Sequence, residues 1–406
     1  MLLGMNRVLV LVLAVVFAVV GATPAVGSPH RRADVVAEWF DVTAATVAAA
    51  GAPTQSTNSR TWAIAWLAAA RAAHDLPAAQ RDRADAAVAS AAHTALVALA
   101  PAREAELDAA LRTTLSRLSP GGQRDLGVAD GVREAGALLA EREGDGLDPA
   151  SVNAPFEVPA PAPGVWQPTP PSLTPPQQAG NRRARPFLLD RADRFRLAPP
   201  PALGSPRDQA DLAEVRAYGS ADSAARTAAQ TGTAQFWLQG SLVGYTQPLR
   251  AALDATGGSP ARRAALIAAF HVILVDTQIA TSDTKYAYLR WRPVTAIRAT
   301  ADPQWTPLHA TPAHPDYPSG HTTYSGAAEV VLTAFTGPSA RRPFTTTSPT
   351  APGVTRTYRR WAELTQDNVD ARVWSGIHTR TADEAGVVLG QRVARFGLSR
   401  FDSLLD

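Results

Sequence analysis

Nine prolines fall between positions 155 and 176. Each lacks a backbone N–H and holds its own φ near the extended range, so neither a regular helix nor a central strand survives that density. The stretch Pro149 to Arg182 therefore reads as a long surface loop, extended where it is ordered. It either separates two domains or wraps around one. With its irregular continuation to about residue 208 it divides the chain into a helical half at 28–148 and a second helical region at 209–406.

Both flanking regions carry helical signals. From Ala33 to about Glu143, Ala, Leu, Arg and Glu dominate, all strong helix formers. Trp62 to Arg71 is apolar on every side and predicts a buried helix; Ala78 to Leu99 and Glu104 to Leu118 continue the pattern. Pro77 and Pro101 sit at helix starts, and Pro120-Gly121-Gly122 is a break. Beyond Asp211, helices are predicted over 224–237, 260–277, a segment ending near Trp291, 323–335, 358–374 and 382–396, with Thr/Pro/Ser loops between them, notably 336–353. β-Branched alternation is scarce and no internal repeat is evident, so the expected class is all-α.

Several function classes drop out on composition. The chain has no cysteine, which excludes disulfides, thiolate metal sites and cysteine nucleophiles. Its net charge is only +3, with no basic stripe of the kind that binds nucleic acid. No nucleotide, flavin or haem fingerprint is present. At the start of the chain, Arg7 precedes an apolar run from Val8 to Val20, and Pro24 and Ala25-Val26-Gly27 follow. A spanning helix needs about 20 apolar residues, so 1–27 reads as a cleaved secretory signal. The expectation is a secreted protein with no stable membrane insertion afterwards.

Three segments in the second region carry chemistry. They are Lys285-Tyr-Ala-Tyr-Leu-Arg-Trp-Arg292-Pro293, His314-Pro-Asp-Tyr-Pro-Ser319-Gly320-His321, and Arg372-Val-Trp-Ser-Gly-Ile-His378, with Asp383 further on. Lys285 and Arg292 lie about two helical turns apart, which puts them on one face if a single helix runs through both. Ser319-Gly320-His321 precedes a helix-like run, whose free N–H groups can face an anion beside the Ser319 hydroxyl. Gly376 permits a bend between Arg372 and His378. One Lys, two Arg, one Ser, backbone amides and two His suit a tetrahedral or trigonal-bipyramidal oxyanion. Each segment alone is a common surface or turn pattern; their joint occurrence is the signal.

In that order the segments resemble the signature of the type-2 phosphatidic acid phosphatase superfamily, in its vanadium-dependent haloperoxidase branch. The signature is Lys, six residues, Arg-Pro; then Pro-Ser-Gly-His; then Arg, five residues, His. The resemblance implies a helical bundle enclosing an oxyanion, with Lys285, Arg292, Ser319, Gly320 and Arg372 around its equatorial oxygens. In a haloperoxidase, with vanadate as cofactor and hydrogen peroxide and halide as substrates, His378 would bind vanadium, His321 would act as acid–base and Lys285 would polarise peroxide. In a secreted acid phosphatase the ligand would be phosphate and the substrate a small phosphoester. His378 would then attack phosphorus and His321 would protonate the leaving group. A third reading is a non-catalytic helical binding protein with a relic oxyanion pocket.

Two positions depart from the pattern. The family has His, three residues, Asp; here four residues separate His378 from Asp383. Asp383 either orients the His378 imidazole through Nδ1 or caps the last helix. Ala371 stands where many relatives carry Ser. His314, seven before His321, occupies a place where bromoperoxidase-like relatives carry His and chloroperoxidase-like ones Phe, so the resemblance favours bromide over chloride; an ordinary loop histidine is the alternative. His309 has no matching role and is expected at the surface. Tyr286, Tyr288, Trp291 and Trp305 are expected to pack around the motifs, and Asp283 to pair with Lys285 or a nearby Arg.

Overall fold

A computed structural model describes residues 34–406, and the expected signal segment 1–27 lies outside them. Helix covers 62% of the structure, in 14 α-helices with one small sheet. The helices are α1 (Val35–Ala50), α2 (Gln55–Ala73), α3 (Arg81–Leu99), α4 (Glu104–Ser116), α5 (Gly122–Glu141), α6 (Pro149–Val152) and α7 (Pro206–Tyr218). They continue with α8 (Ala228–Phe236), α9 (Ser241–Ala255), α10 (Pro260–Tyr288), α11 (Pro293–Thr300), α12 (Gly320–Thr336), α13 (Trp361–Trp374) and α14 (Arg380–Leu398). Strands β1 (Ser339–Thr347) and β2 (Thr355–Arg360) form an antiparallel hairpin between α12 and α13.

The all-α expectation holds, with two local differences. The loop predicted at 336–353 holds β1, and Tyr358 to Arg360 belong to β2 rather than to the start of α13. Tyr358 is buried against Phe344 and Trp237, so tertiary packing holds these residues extended. The two segments predicted at 260–277 and up to Trp291 are one helix of 29 residues.

That helix, α10, is the centre of the core. Its best window has a mean hydropathy of 1.6 and is 94% buried within the protein. It packs on α2 and α3 of the N-terminal layer and on α12 and α14 of the second region. Trp39, Trp62, Trp66 and Phe40 fill the first side; Tyr324, Ala327, Ala328 and Val331 fill the second. One polar ring lies inside this core. His271 stacks on Trp62 at 4.6 Å between ring centroids, and neither ring nitrogen has a hydrogen-bond partner.

The proline-dense stretch lies against the C-terminal end of α10. The backbone N–H of Trp291 donates to Gly164 O (2.9 Å) and that of Trp166 to Leu289 O (2.7 Å), with a β-bridge between Val165 and Arg290. Further along, the backbone N–H groups of Phe187, Leu188 and Leu189 all donate to the buried carboxylate of Asp276 on α10, at 2.7 to 2.8 Å. A segment without a repeating hydrogen-bond pattern of its own is thus held by the ends and side chains of the helix beneath it.

The pair α12 and α14 approaches unusually closely. A Cβ added at Gly390 would lie 2.0 Å from Thr323 O and 2.7 Å from Ala327 N, both backbone atoms. Gly390→Ala should therefore force the two helices apart and cost about 1–3 kcal/mol, read as a fall in the denaturant midpoint. His271 generates a second expectation. Burial pushes its imidazole down to about 3, whereas in the unfolded chain it takes its proton near pH 6.5. The unfolded chain binds more protons in that window, so the contribution is whole above about pH 6.5 and declines by up to about 1.4 kcal/mol per pH unit below it. His271→Phe, which keeps the stack on Trp62, should flatten the loss of stability between pH 6.5 and 4 in denaturant titrations.

Candidate oxyanion site

The three motifs converge through helix ends. α10 stops at Tyr288, and Leu289 takes a left-handed conformation (φ 47°) that closes it. Arg292 is then the extended N-cap of α11, as the following Pro293 requires. Lys285 and Arg292 therefore do not share a helix face; a turn brings them together. Ser319 is the N-cap of α12, with Gly320 its first residue. Arg372 lies in the last turn of α13, Gly376 makes the bend with φ 76°, and His378 immediately precedes the Thr379 cap of α14.

Three cations are buried here without a carboxylate ion-pair partner among the described residues. Lys285 is 4% exposed, Arg292 0% and Arg372 1%. Backbone carbonyls hold them instead. Lys285 Nζ donates to Pro315 O (2.6 Å) and Asp316 O (3.1 Å). Arg292 donates to His314 O and Ile377 O, both at 2.6 Å, and Arg372 to Trp237 O at 3.1 Å. Burial and mutual repulsion push the Lys285 ammonium well below its ordinary value, and burial brings both guanidinium groups down to about 10.

Donors remain beside them. The Ser319 hydroxyl and Arg372 Nε are buried with no hydrogen-bond partner. A serine at an N-cap normally accepts a bond from its own helix, and Ser319 makes no such cap. The first N–H groups of α12, from Gly320 and His321, add the positive end of a helix.

The histidines are held by partners that decide their tautomers. Arginine only donates, so Arg292 Nη1 makes His378 Nε2 an acceptor at 3.0 Å, and the His378 proton sits on Nδ1, 2.7 Å from Asp316 Oδ1. A carbonyl only accepts, so His321 Nε2 donates to Gln239 O at 2.9 Å, leaving Nδ1 as its acceptor. Arg292 Nη2 likewise donates to His314 Nδ1 at 3.0 Å. Burial and the surrounding cations hold all three imidazoles well below the usual histidine range.

Asp383 neither bonds His378 nor caps α14. Thr379 provides the cap, and the Asp383 carboxyl is buried with no hydrogen bond to either oxygen. Burial pushes it up, opposed by the Ser319 hydroxyl and Arg372. The extra residue between His378 and Asp383 turns the carboxylate by about 100° on the helix. Asp316 takes the position at Nδ1 instead. Sequence reading missed it, although it stands in plain view within His314-Pro-Asp-Tyr-Pro-Ser319.

Of the remaining expectations, Asp283 takes the arginine alternative, pairing with Arg196 at 2.7 Å rather than with Lys285. His309 is half-buried, bridging Ser375 Oγ (3.0 Å) and Gln235 Oε1 (2.8 Å). Tyr286, Trp291 and Trp305 are buried around the motifs. A cavity of about 250 Å³ reaches the site, bordered by Lys285, His314, Gly320 and His321 at its base and by Gln55, Gln178 and Gln278 above.

The chemistry of this donor set is anion binding in a dry, preorganised cradle. Residues 265–406, which contain every motif residue, match the family model described as the VCPO second helical-bundle domain. Through this region the chain is similar to the vanadium haloperoxidase branch of the type-2 phosphatidic acid phosphatase superfamily, a branch of enzymes. The fold agrees. A bacterial vanadium-dependent iodoperoxidase structure superposes with a TM-score of 0.74 at 23% identity, over 90% of this chain and 95% of that one. A bacterial vanadium-dependent chloroperoxidase matches in its apo form with a TM-score of 0.68 at 16% identity, over 87% and 95% of the two chains. Its holo form gives 0.67 at 16%, over 90% and 93%. Comparison with curated protein sequences gives no match.

An anion should relieve the repulsion among the three cations. Saturation with inorganic phosphate at 100 times its dissociation constant is expected to stabilise the fold by about 2.7 kcal/mol. Arg372→Met removes one buried cation from the cradle and also the positive charge beside the Asp383 carboxyl, and should lose most of the phosphate response. A variant that responds in full would count against the cradle.

Proposed function

We propose that the protein is a vanadate-dependent haloperoxidase that oxidises halide, bromide in preference to chloride, with hydrogen peroxide. The observation that carries this reading is the set of three buried cations held by carbonyls, beside the buried Ser319 hydroxyl, at the family's motif positions. The residues fit vanadate. Lys285, Arg292, Arg372, Ser319 and the Gly320 amide would supply donors for its oxygens, and His378 Nε2 would hold the metal. The group would supply activation of hydrogen peroxide toward attack by halide.

The protein's own part is preorganisation and proton control. Arg292 Nη1 must pass its hydrogen bond from His378 Nε2 to the oxyanion for that nitrogen to act as a ligand. His321 borders the cavity, and its unprotonated Nδ1 can take a proton from peroxide or water and return it. Lys285, fixed by two carbonyls, keeps a third N–H that would serve an oxygen of the oxyanion or of the peroxide substrate. His314, in the place where bromoperoxidase-like relatives carry His, supports bromide, while the superposed structures come from an iodoperoxidase and a chloroperoxidase. The apolar segment Val8 to Val20 supports secretion.

The reading is tested by reconstituting phosphate-free protein with orthovanadate and assaying bromide oxidation by peroxide. Turnover is expected to require vanadate and to fall by at least about 100-fold in His378→Ala, as loss of a metal ligand does. Hydrolysis of p-nitrophenyl phosphate, inhibited by vanadate and without bromide turnover, would move the protein to the acid-phosphatase reading. Inactivity of folded protein in both assays would favour a relic pocket.

A further inference from the structure

Asp316 is bound on four sides. Its Oδ1 accepts the His378 Nδ1 proton at 2.7 Å, and both side chains are 1% exposed. Its Oδ2 accepts from Thr379 Oγ1 at 2.8 Å. Its backbone N–H donates to Arg290 O at 2.9 Å, and its own carbonyl accepts from Lys285 Nζ at 3.1 Å. One residue thus fixes a histidine through its side chain and a lysine through its main chain. Thr379, the residue that follows His378, anchors the second carboxylate oxygen of Asp316.

The carboxylate at the expected position does something else. Asp383 is buried beside Ser319 and Arg372 with no hydrogen bond to either oxygen. No other carboxylate among the described residues bonds the His378 ring. A neutral imidazole offers Nε2 as a lone pair only while its proton is held at Nδ1, and a carboxylate there also raises the basicity of the nitrogen opposite. With burial and three cations acting on His378, a neutral acceptor would leave its Nε2 a weaker donor to a metal centre.

We propose that Asp316 is the positioning carboxylate of His378, in place of the Asp that follows the histidine in the family pattern. It holds the Nδ1–H tautomer and, through its carbonyl, the Lys285 ammonium. The inference rests on the haloperoxidase reading only in treating His378 as the vanadium ligand. The hydrogen-bond geometry itself belongs to the chain without cofactor.

Imidazole ¹⁵N spectra of the full chain without vanadate, and vanadate affinity by equilibrium dialysis, test it together. Asp316→Asn keeps the shape but loses the charge. It should move the His378 Nδ1 resonance and that of its bound proton, because the charge-assisted bond is lost while Arg292 Nη1 at Nε2 still keeps the proton on Nδ1, and weaken vanadate binding by about 10–100-fold. Asp383→Asn should leave the His378 signature in place. Thr379→Val, which frees Oδ2 and also removes the Thr379 cap of α14, should move the same signals by less and serves if Asp316→Asn does not fold. Wild-type His378 signals and vanadate affinity in folded Asp316→Asn, or a tautomer change caused by Asp383→Asn instead, would overturn the proposal. Wild-type protein that binds no vanadate would overturn the haloperoxidase reading, and the cofactor-free spectra would still decide on Asp316.

Discussion

Three positive side chains sit in the interior of this protein with carbonyl oxygens as their fixed partners, and the second helical region is arranged around that fact. A buried cation is costly unless something offsets its lost hydration. Carbonyls supply part of that through their dipoles, and they do so without cancelling the charge. A carboxylate in contact with Lys285 or Arg292 would lower the cost further and would also neutralise the field that an oxyanion needs. The arrangement gives up some stability in the free protein and keeps the charge available for a ligand.

Helix ends supply what side chains do not. α12 begins at Gly320, so its unpaired amides and its dipole point toward the same space as the Arg292 and Arg372 guanidinium groups. The close contact of α14 with α12 fixes this terminus from the other side, where Ser319 N–H donates to Ala382 O at 2.9 Å. The strap of residues 149–190 fixes the end of α10, from which Lys285 reaches in. Each motif residue is thus located by a junction between elements, and the positions of the donors depend on packing tens of residues away in sequence. The carbonyls of Trp237 and Gln239, both in the short connection between α8 and α9, illustrate this: one holds Arg372 and the other His321.

Much of this was legible in the sequence because it follows from local chemistry. Ala-rich runs gave the helices, proline density gave the strap its irregular backbone, and the order of Lys285, Arg292, Ser319-Gly320-His321, Arg372 and His378 located the site. What was not legible depends on rotation and partner choice. A spacing of seven suggested a shared helix face for Lys285 and Arg292, but Leu289 ends the helix between them. A spacing of five from His378 left Asp383 with two candidate roles, and it takes neither. The hairpin of β1 and β2 has no strong alternation of its own and is held by Tyr358 and Phe344 packing on Trp237 and Trp361. Asp316 carried one usable signal: a carboxylate two residues from a histidine and three from the Ser-Gly-His turn.

The two motif histidines differ in the kind of acceptor behind them, and that difference separates their chemistry. His378 donates a hydrogen bond from Nδ1 to a buried carboxylate, which fixes the tautomer and strengthens the opposite nitrogen as an electron-pair donor. His321 donates one from Nε2 to the neutral carbonyl of Gln239, which fixes the complementary tautomer and adds no charge. Its free nitrogen is consequently the weaker base, better suited to taking a proton and releasing it than to holding a metal centre. Arg292 reaches His378 with one end of its fork and His314 with the other, so a bound oxyanion that draws Arg292 away releases both rings at once. On the haloperoxidase reading, oxyanion binding and the release of His378 Nε2 would then be a single rearrangement of one guanidinium group, set up by hydrogen bonds already present in the free chain.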